Sequence, residues 1–595
     1  MPVMSSFSAK HLFITIFALV AVCLGTYYNA VSVPFYLDDI SSITSNPRFS
    51  DATTYTSLLQ VYGMRVVGYI SLWWDYQSAG LDVSRYHYVN NSIHALMSVS
   101  IFAFVYLLQL AAFRVPKTVT SEVDNHDHRK ILWISAAVAL LFAVHPLNTQ
   151  AVTYIVQRLA SLTALFYMLC ITSYLGFRLT QSIVSKLVLL ALTLVFAVLA
   201  VLTKQNAVTL PLAIILLELV FFNQLKLKHL AVLAGLSLLA AVGFYSLVPE
   251  LFHQIVATVD QMTRENKIMT RWEYFTTQLP ILWMYIAKAF YPFPLHLEYT
   301  YTLETFSLVQ KWLAGIAHLI MLAAAILFVK RLPLLSFGVL FFYLAHSVES
   351  GIIPITDLVF EHRTYLPNVG LLLALVSLVV LFLEKLAQGR QWVAAASVLA
   401  LATVTLSSLT VLRNQQWQSP PVFFAHELTY SPTHPRTLHS IAEIMVREGK
   451  HDMAMQHLNR LYEVSDGKID GVMLNTHLSI LINQGQYDEA LALGKRLLSA
   501  KSLHPSARSV ILANMGIVYV NLQQHATARP YFDQAVQFGS MSVNSLLAYG
   551  YTLYVLDDLA VAQKVVSTIL KIQPGEAKAK QLALMIQAKA AVTVQ

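Results

Sequence analysis

"HLFITIFALVAVCLGTYYNAVSVPFYLDDISSITSNP", residues 11–47, runs through about twenty mostly apolar positions and then meets two adjacent carboxylates, Asp38 and Asp39. Whether that run is a cleaved leader or a retained span decides the fold class. No small-residue cleavage site follows it, and Pro34 to Asp39 read as retained sequence, so a signal anchor is expected. The whole chain agrees: of 595 residues 56% are hydrophobic and only 12% charged, a composition that excludes an ordinary soluble protein. Cys23 and Cys170 both fall inside apolar runs without CxxC spacing, which reads as two small apolar residues rather than a disulfide or metal pair.

Further apolar runs of spanning length predict an all-α polytopic membrane protein with about eleven transmembrane helices. They fall near 12–33, 89–112, 131–147, 159–177, 186–203, 206–222, 229–248, 312–329, 333–353, 365–384 and 391–412. Segments 50–80 and 272–291 are helical in pattern but mixed in polarity, and read as helices along the outer interface. Short-range basic charge collects in alternate loops: Lys10; Arg114, Lys117, Arg129 and Lys130; Arg178 and Lys186; Lys226 and Lys228; Lys330 and Arg331; Lys385 and Arg390. The positive-inside rule puts these in the cytoplasm, and an odd span count sends the C-terminal part outside. They also account for much of the net charge of +8, so no nucleic-acid partner is called for.

The unusual polar residues then fall on the outer side. One loop holds Asp38 and Asp39; "HPLNTQAVTYIVQR" holds His145, Gln157 and Arg158; "TKQN" holds Lys204 and Gln205. Another ends in "YPFPLHLEYTY" with His296 and Glu298, and the stretch from "HSVESG" to "FEHRTYLP" holds His346, Glu349, Glu361, His362, Arg363 and Tyr365. Charges beside hydrocarbon are costly and usually face a protein interior or a water-filled cavity, so each is a candidate site residue. Structural roles stand beside the functional ones: Asp39 as a helix cap, Arg158 and Lys204 snorkelling to headgroups, Glu361 and Arg363 as a local ion pair. Lys204 reads either as a phosphate contact or as an interfacial anchor. Two adjacent acids repel one another and capping needs only one, which favours chemistry at Asp38 and Asp39. For the histidines, titration, metal ligation and simple hydrogen bonding all remain open.

Beyond residue 412 the sequence turns polar and helical. Ala454, Ala490, Ala528 and Ala562 recur at intervals of 36, 38 and 34 residues, with Ala442, Gly516 and Gly550 at a second small site, Tyr487 and Phe532 in support, and Pro574 closing the last unit. A period near 34 predicts about four tetratricopeptide repeats, a helical surface suited to holding a protein. The expected division is 1–412 membrane domain, 413–431 linker and 432–595 repeat domain.

The blocks "HPLNTQAVTYIVQRLASLTALFYML", "VLTKQNAVTLPL", "FPLHLEYTY" and "FEHRTYLPNVG", with the acid pair and the repeats, resemble the transmembrane and tetratricopeptide-repeat O-mannosyltransferase-like proteins and their bacterial relatives. Those are polytopic glycosyltransferases of the GT-C fold. The resemblance implies transfer of a sugar from a polyprenyl-phosphate carrier to a hydroxyl of a protein on the outer face, with inversion. Asp38 is by resemblance the base and Asp39 the helper that orients the acceptor or holds a divalent cation, magnesium or manganese. Arg158, Lys204, His362 and Arg363 would receive the leaving phosphate. The "TKQN" block departs from the pattern, with glutamine where relatives often carry glutamate. The short repeat array and the "YIVQR" wording resemble bacterial members, which implies a cytoplasmic (inner) membrane location, repeats in the periplasm and a secreted acceptor such as a pilin. Transfer of a whole lipid-linked oligosaccharide is one alternative reading, and a non-catalytic scaffold for envelope assembly that binds membrane lipids is another.

Overall fold

A computed structural model describes residues 6–49, 54–114, 125–222, 246, 269–385, 390–464, 471–499, 505–539, 541–573 and 575–593. Among them the chain is helical, with no strand. Lys117, Lys226, Lys228, Pro574 and almost all of the expected span 229–248 lie outside the described residues. The chain divides into two compact units, Met1–His426 and Glu427–Gln595. The stretch 413–431 holds the end of the helix Arg390–Gln416 and a further helix, Pro420–Tyr430.

Among the described residues of the first unit six helices are long and apolar enough to cross a membrane, or seven if the pair Lys130–Val144 and Pro146–Thr153, bent by 54°, counts as one span. Three shorter apolar helices, Lys10–Thr26, Pro333–His346 and Pro367–Leu383, match the remaining expected spans on described residues. The chain is thus a multi-pass membrane protein. Local chemistry sets several helix starts: Thr270 with Glu273, and Ser307 with Gln310, form capping boxes at Arg271–Phe290 and Leu308–Leu327. Proline opens Pro333–His346 and Pro367–Leu383, where its missing N–H costs nothing.

The segment 272–291 forms the helix Arg271–Phe290, and it is not among the helices apolar enough to cross. It is tied along its length to the loop above the spans, because the Tyr274 hydroxyl donates to the Glu349 carbonyl, Gln278 to the Leu358 carbonyl and Tyr285 to the Phe360 carbonyl. Segment 50–80 forms Tyr55–Tyr62 and Val66–Ala79, the first opened by Thr54 as its cap.

One core joins Val83–Arg114, Asn125–Val144, Arg158–Leu179 and Pro367–Leu383 through buried Phe102, Phe104, Phe142, Tyr167 and Leu373. The loops assigned to opposite sides by charge segregate in space. Lys130 pairs with Glu384, and Lys130, Arg331 and Leu381 line one cleft of about 180 Å³ at the basic end. At the other end the candidate loops meet each other.

The second unit consists of four successive packed helix pairs, from Pro435–Arg447 with His451–Val464 to Val543–Val555 with Leu559–Ile572, and then Ala577–Thr593. Ala454, Ala490, Ala528 and Ala562 are all fully buried, each in the second helix of its pair. A Cβ on Gly516 would lie 2.8 Å from the Phe532 ring, so the small residue sets how closely that pair packs.

Candidate active site

The turn that presents the acid pair is strained. Leu37 has φ of +38°, a left-handed conformation that costs a residue with a Cβ about 1–3 kcal/mol. What holds it is Asp39. Its Oδ2 accepts from the Tyr36 N–H at 3.0 Å and its Oδ1 from the Val156 N–H at 2.7 Å, so one carboxylate closes the turn and fastens it to the segment before Arg158. Asp39 is buried, and that burial pushes its pKa up to about 8 against the pull of the two N–H donors. Asp38 differs in every respect. Its backbone N–H donates to the Tyr154 hydroxyl at 2.8 Å, while the residue is exposed and its carboxylate has no hydrogen-bond or ion-pair partner among the described residues. Tyr154 in turn packs against Trp417 at 5.7 Å, and the Trp417 carbonyl accepts from Tyr36.

Arg158 is fully buried and occupied. Its Nη1 lies 2.6 Å from Asp75 Oδ2, its Nε donates to Asn90 at 2.6 Å, and the Ser71 and Tyr86 carbonyls take further N–H groups. The sequence reading put this guanidinium on a donor phosphate; the structure places it in a buried ion pair that fixes the base of the loop. His145 and Tyr365 are also committed. His145 bonds the Ala289 carbonyl through Nε2 and accepts from the Leu147 N–H, and the Tyr365 hydroxyl meets His94 at 2.8 Å within the apolar core. The Gln157 backbone N–H donates to the Tyr154 carbonyl, and Gln205 accepts from Arg65 Nε at 3.3 Å.

Lys204, His346, His362 and Arg363 do come together. Lys204 Nζ lies 2.5 Å from Glu349 Oε1, both side chains being mostly buried. Arg363 donates to the Leu358 and Asp357 carbonyls and sits over the Phe360 ring. Although burial raises it, the pKa of Glu349 ends below the usual carboxylate range because Lys204 and Arg363 stand beside it. His362 donates its backbone N–H to Gln150 at 2.7 Å, and its ring Nδ1 is buried without a partner. Burial, then Lys204 and Arg363, hold its pKa well below the usual range. That shift favours the neutral, hydrogen-bonding form of the ring.

Glu361 belongs to a third group, in which Oε1 accepts from the His296 N–H at 2.9 Å and from the Tyr299 hydroxyl at 2.7 Å. Burial raises its pKa, opposed by the fields of Arg413 and Lys288. Asp39 as a metal ligand does not fit this donor set, since both its oxygens already accept N–H groups, and among the described residues no three His, Cys, Asp or Glu side chains converge on one point.

Several of these partners were missed in the sequence reading. Asp75, His87, Asn90 and His94 are buried, and the last three position the loops by bonding Val33, Val152, Ile155 and Ala143 carbonyls. A signal was present: "YHYVNNSIHAL" puts polar residues at 87, 90, 91 and 94, one stripe of a helix inside an apolar span. Arg413, just past the last expected span, carried no such signal; Glu361 and Trp417 stand beside it.

No family model matches the chain. It is 24% identical over 569 residues to the protein O-mannosyl-transferase TMTC3 of Mus musculus, covering 85% of this chain and 57% of that protein, and 23% identical to the Homo sapiens TMTC3 with the same coverage. The Caenorhabditis elegans protein O-mannosyl-transferase F38B6.6 is 22% identical over 458 residues, covering 72% of this chain and 60% of that protein. The chain thus spans somewhat more than half the length of the curated relatives it matches. A similarity covering 85% of the chain exceeds the first unit, Met1–His426, so the resemblance to this family extends into both units.

Proposed function

We propose that the chain is a membrane glycosyltransferase, which moves a sugar from a polyprenyl-phosphate donor to a hydroxyl of a protein on the outer face of the membrane. The observation that carries this is the split within the acid pair: Asp39 locks a strained turn, and the turn leaves Asp38 exposed, its carboxylate unengaged among the described residues. A base has to be free to receive a proton, and Asp38 is the member of the pair that is. The relatives' shared name, protein O-mannosyl-transferase, supports the reaction class.

In the reaction, the acceptor oxygen attacks the anomeric carbon from the side opposite the carrier and its proton passes to Asp38. The bond from the anomeric carbon to the phosphate oxygen breaks, its electron pair leaves with the lipid phosphate, and the sugar inverts. Lys204 and Arg363 stabilise the developing charge, and neutral His362 donates a hydrogen bond. Arg158 acts at one remove, through Asp75 and the loop it anchors. The helix pairs of the second unit, read as tetratricopeptide repeats, recruit the protein acceptor; the basic-loop pattern supports an outer location for them, and the resemblance to bacterial members supports a periplasm.

The test is comparative mass spectrometry of envelope proteins from cells carrying the wild-type gene, no gene, or Asp38→Asn. Deletion should remove a glycan from at least one secreted protein. Asp38→Asn should fail to restore it, with a loss of rate of about 10²–10⁴-fold and normal amounts of protein in the membrane. Full restoration by Asp38→Asn, or no glycan lost on deletion, would overturn the reading.

A further inference from the structure

A cleft of about 730 Å³ lies between Arg271–Phe290, Leu308–Leu327 and the end of Pro333–His346. That volume is in the range of small-molecule sites, and its walls are largely apolar and aromatic. Along Leu308–Leu327 it runs from Leu308 to Leu322, roughly 21 Å at the helical rise of about 1.5 Å per residue. Its rim is open: Trp272 is 66% and Trp312 62% exposed, which in a membrane protein presents the cleft sideways to lipid.

The inner end is polar and unsatisfied. His346 and Ser350 both line the cleft and are only 2% and 3% exposed, yet among the described residues neither ring nitrogen of His346 nor the Ser350 hydroxyl has a hydrogen-bond partner. Orphaned buried polar groups are costly, so three such atoms at one end of an apolar cleft mark a place where a ligand supplies the partners. The His346 ring is held by stacking on Tyr285 at 5.4 Å and by the edge of Phe342 at 4.7 Å. Beside it stand the Glu349 carboxylate, itself paired with Lys204, and Arg363, so the polar end is bordered by two cations and one carboxylate.

We infer that this cleft holds the first part of the carrier's prenyl chain, with His346 and Ser350 donating hydrogen bonds to its phosphate oxygens beside Lys204 and Arg363. A long apolar chain with a compact anionic head matches the two ends of the cleft. The inference rests on the donor assigned above and adds where that donor enters. Gly315 lines the wall opposite Leu279, with space for a Cβ only 3.3 Å from the Leu279 side chain, so a large residue there closes the cleft. Trp312 is exposed and replaceable without disturbing a core.

The test uses the full-length protein in detergent and a benzophenone-tagged geranylgeranyl phosphate. Light should attach the probe to peptides of Arg271–Phe290 and Leu308–Leu327. Unlabelled geranylgeranyl phosphate should compete, whereas phosphatidylglycerol or inorganic phosphate should not. Gly315→Trp should cut labelling by about tenfold or more, and Trp312→Ala and His346→Ala should each reduce it several-fold, with unchanged elution on size exclusion. Labelling displaced equally by phosphatidylglycerol would make this a site for bulk lipid. Wild-type labelling in both Gly315→Trp and Trp312→Ala would also overturn the inference. Because attachment is read without turnover, specific labelling by a protein that transfers no sugar would sink the proposed reaction alone. Sugar transfer without labelling of these helices would sink this inference alone.

Discussion

At the scale of single residues, Asp38 and Asp39 show how neighbours of the same type take opposite roles once a chain folds. Asp39 accepts two backbone N–H groups and is buried; an asparagine there keeps one acceptor and turns an amide N–H toward the other donor. Asp39→Asn should therefore lose about 1–3 kcal/mol of stability, read as a lower thermal midpoint in detergent. The sign with pH follows from burial, which lifts the folded-state pKa from the ordinary carboxylate range to about 8. The folded state thus holds this proton more tightly than the unfolded chain. Its stabilising effect is complete below the ordinary carboxylate range and is lost as pH rises through about 8. The wild-type midpoint should fall across that interval with a component that Asp39→Asn lacks; identical pH profiles for the two proteins would contradict the assignment. The sequence made both acids conspicuous, but it could not say which would be engaged, because the partners are backbone groups of residues 36 and 156. Arg158 is the converse case. Its acid partner, Asp75, lies in a segment read as interfacial helix, and nothing in the spacing pairs them.

At the scale of elements, Pro333–His346 and Pro367–Leu383 carry two of the candidate loops and cross unusually closely. A Cβ on Gly338 would lie 2.5 Å from the Gly370 carbonyl and 2.9 Å from the Ala374 nitrogen, which leaves room only for hydrogen. Close backbone approach at small residues is how helices associate where lipid gives no hydrophobic driving force. Gly338→Ala should push the pair apart and destabilise the protein by about 1–3 kcal/mol, lowering the thermal midpoint. It should also weaken sugar transfer, because His346 ends one helix and Glu361 to Tyr365 precede the other. An unchanged midpoint would mean the crossing is looser than this. Periodicity and apolar length located these helices well, as their bounds show; the glycine contact was invisible in either helix alone, since it exists only between them.

At the scale of the whole molecule, the first unit brings segments far apart in sequence to one end. Asp39 meets Val156, Arg65 meets Gln205, Lys204 meets Glu349, Gln150 meets His362, and Tyr36 meets Trp417. These are the loops that the charge rule puts outside, while Lys130 and Glu384 join at the opposite end. A reporter fused after residue 430 should accordingly be active only when folded outside the cytoplasm; cytoplasmic activity would invert the placement of every candidate residue. The sequence by itself determined the class of protein, the positions of those spans that fall on described residues, the small residues that recur in the helix pairs of its second unit and the loops where polar residues collect. Each of these follows from local composition and period, which the solvent, lipid or water, reads one segment at a time. Only the tertiary structure decided which polar residues are engaged and which are available: Asp39, Arg158, His145 and Tyr365 bound into the fold, Asp38 left open, His346 and Ser350 unsatisfied at the end of an apolar cleft. The reason is that a buried polar group is defined by its partner, and here the partners come from segments tens to hundreds of residues away.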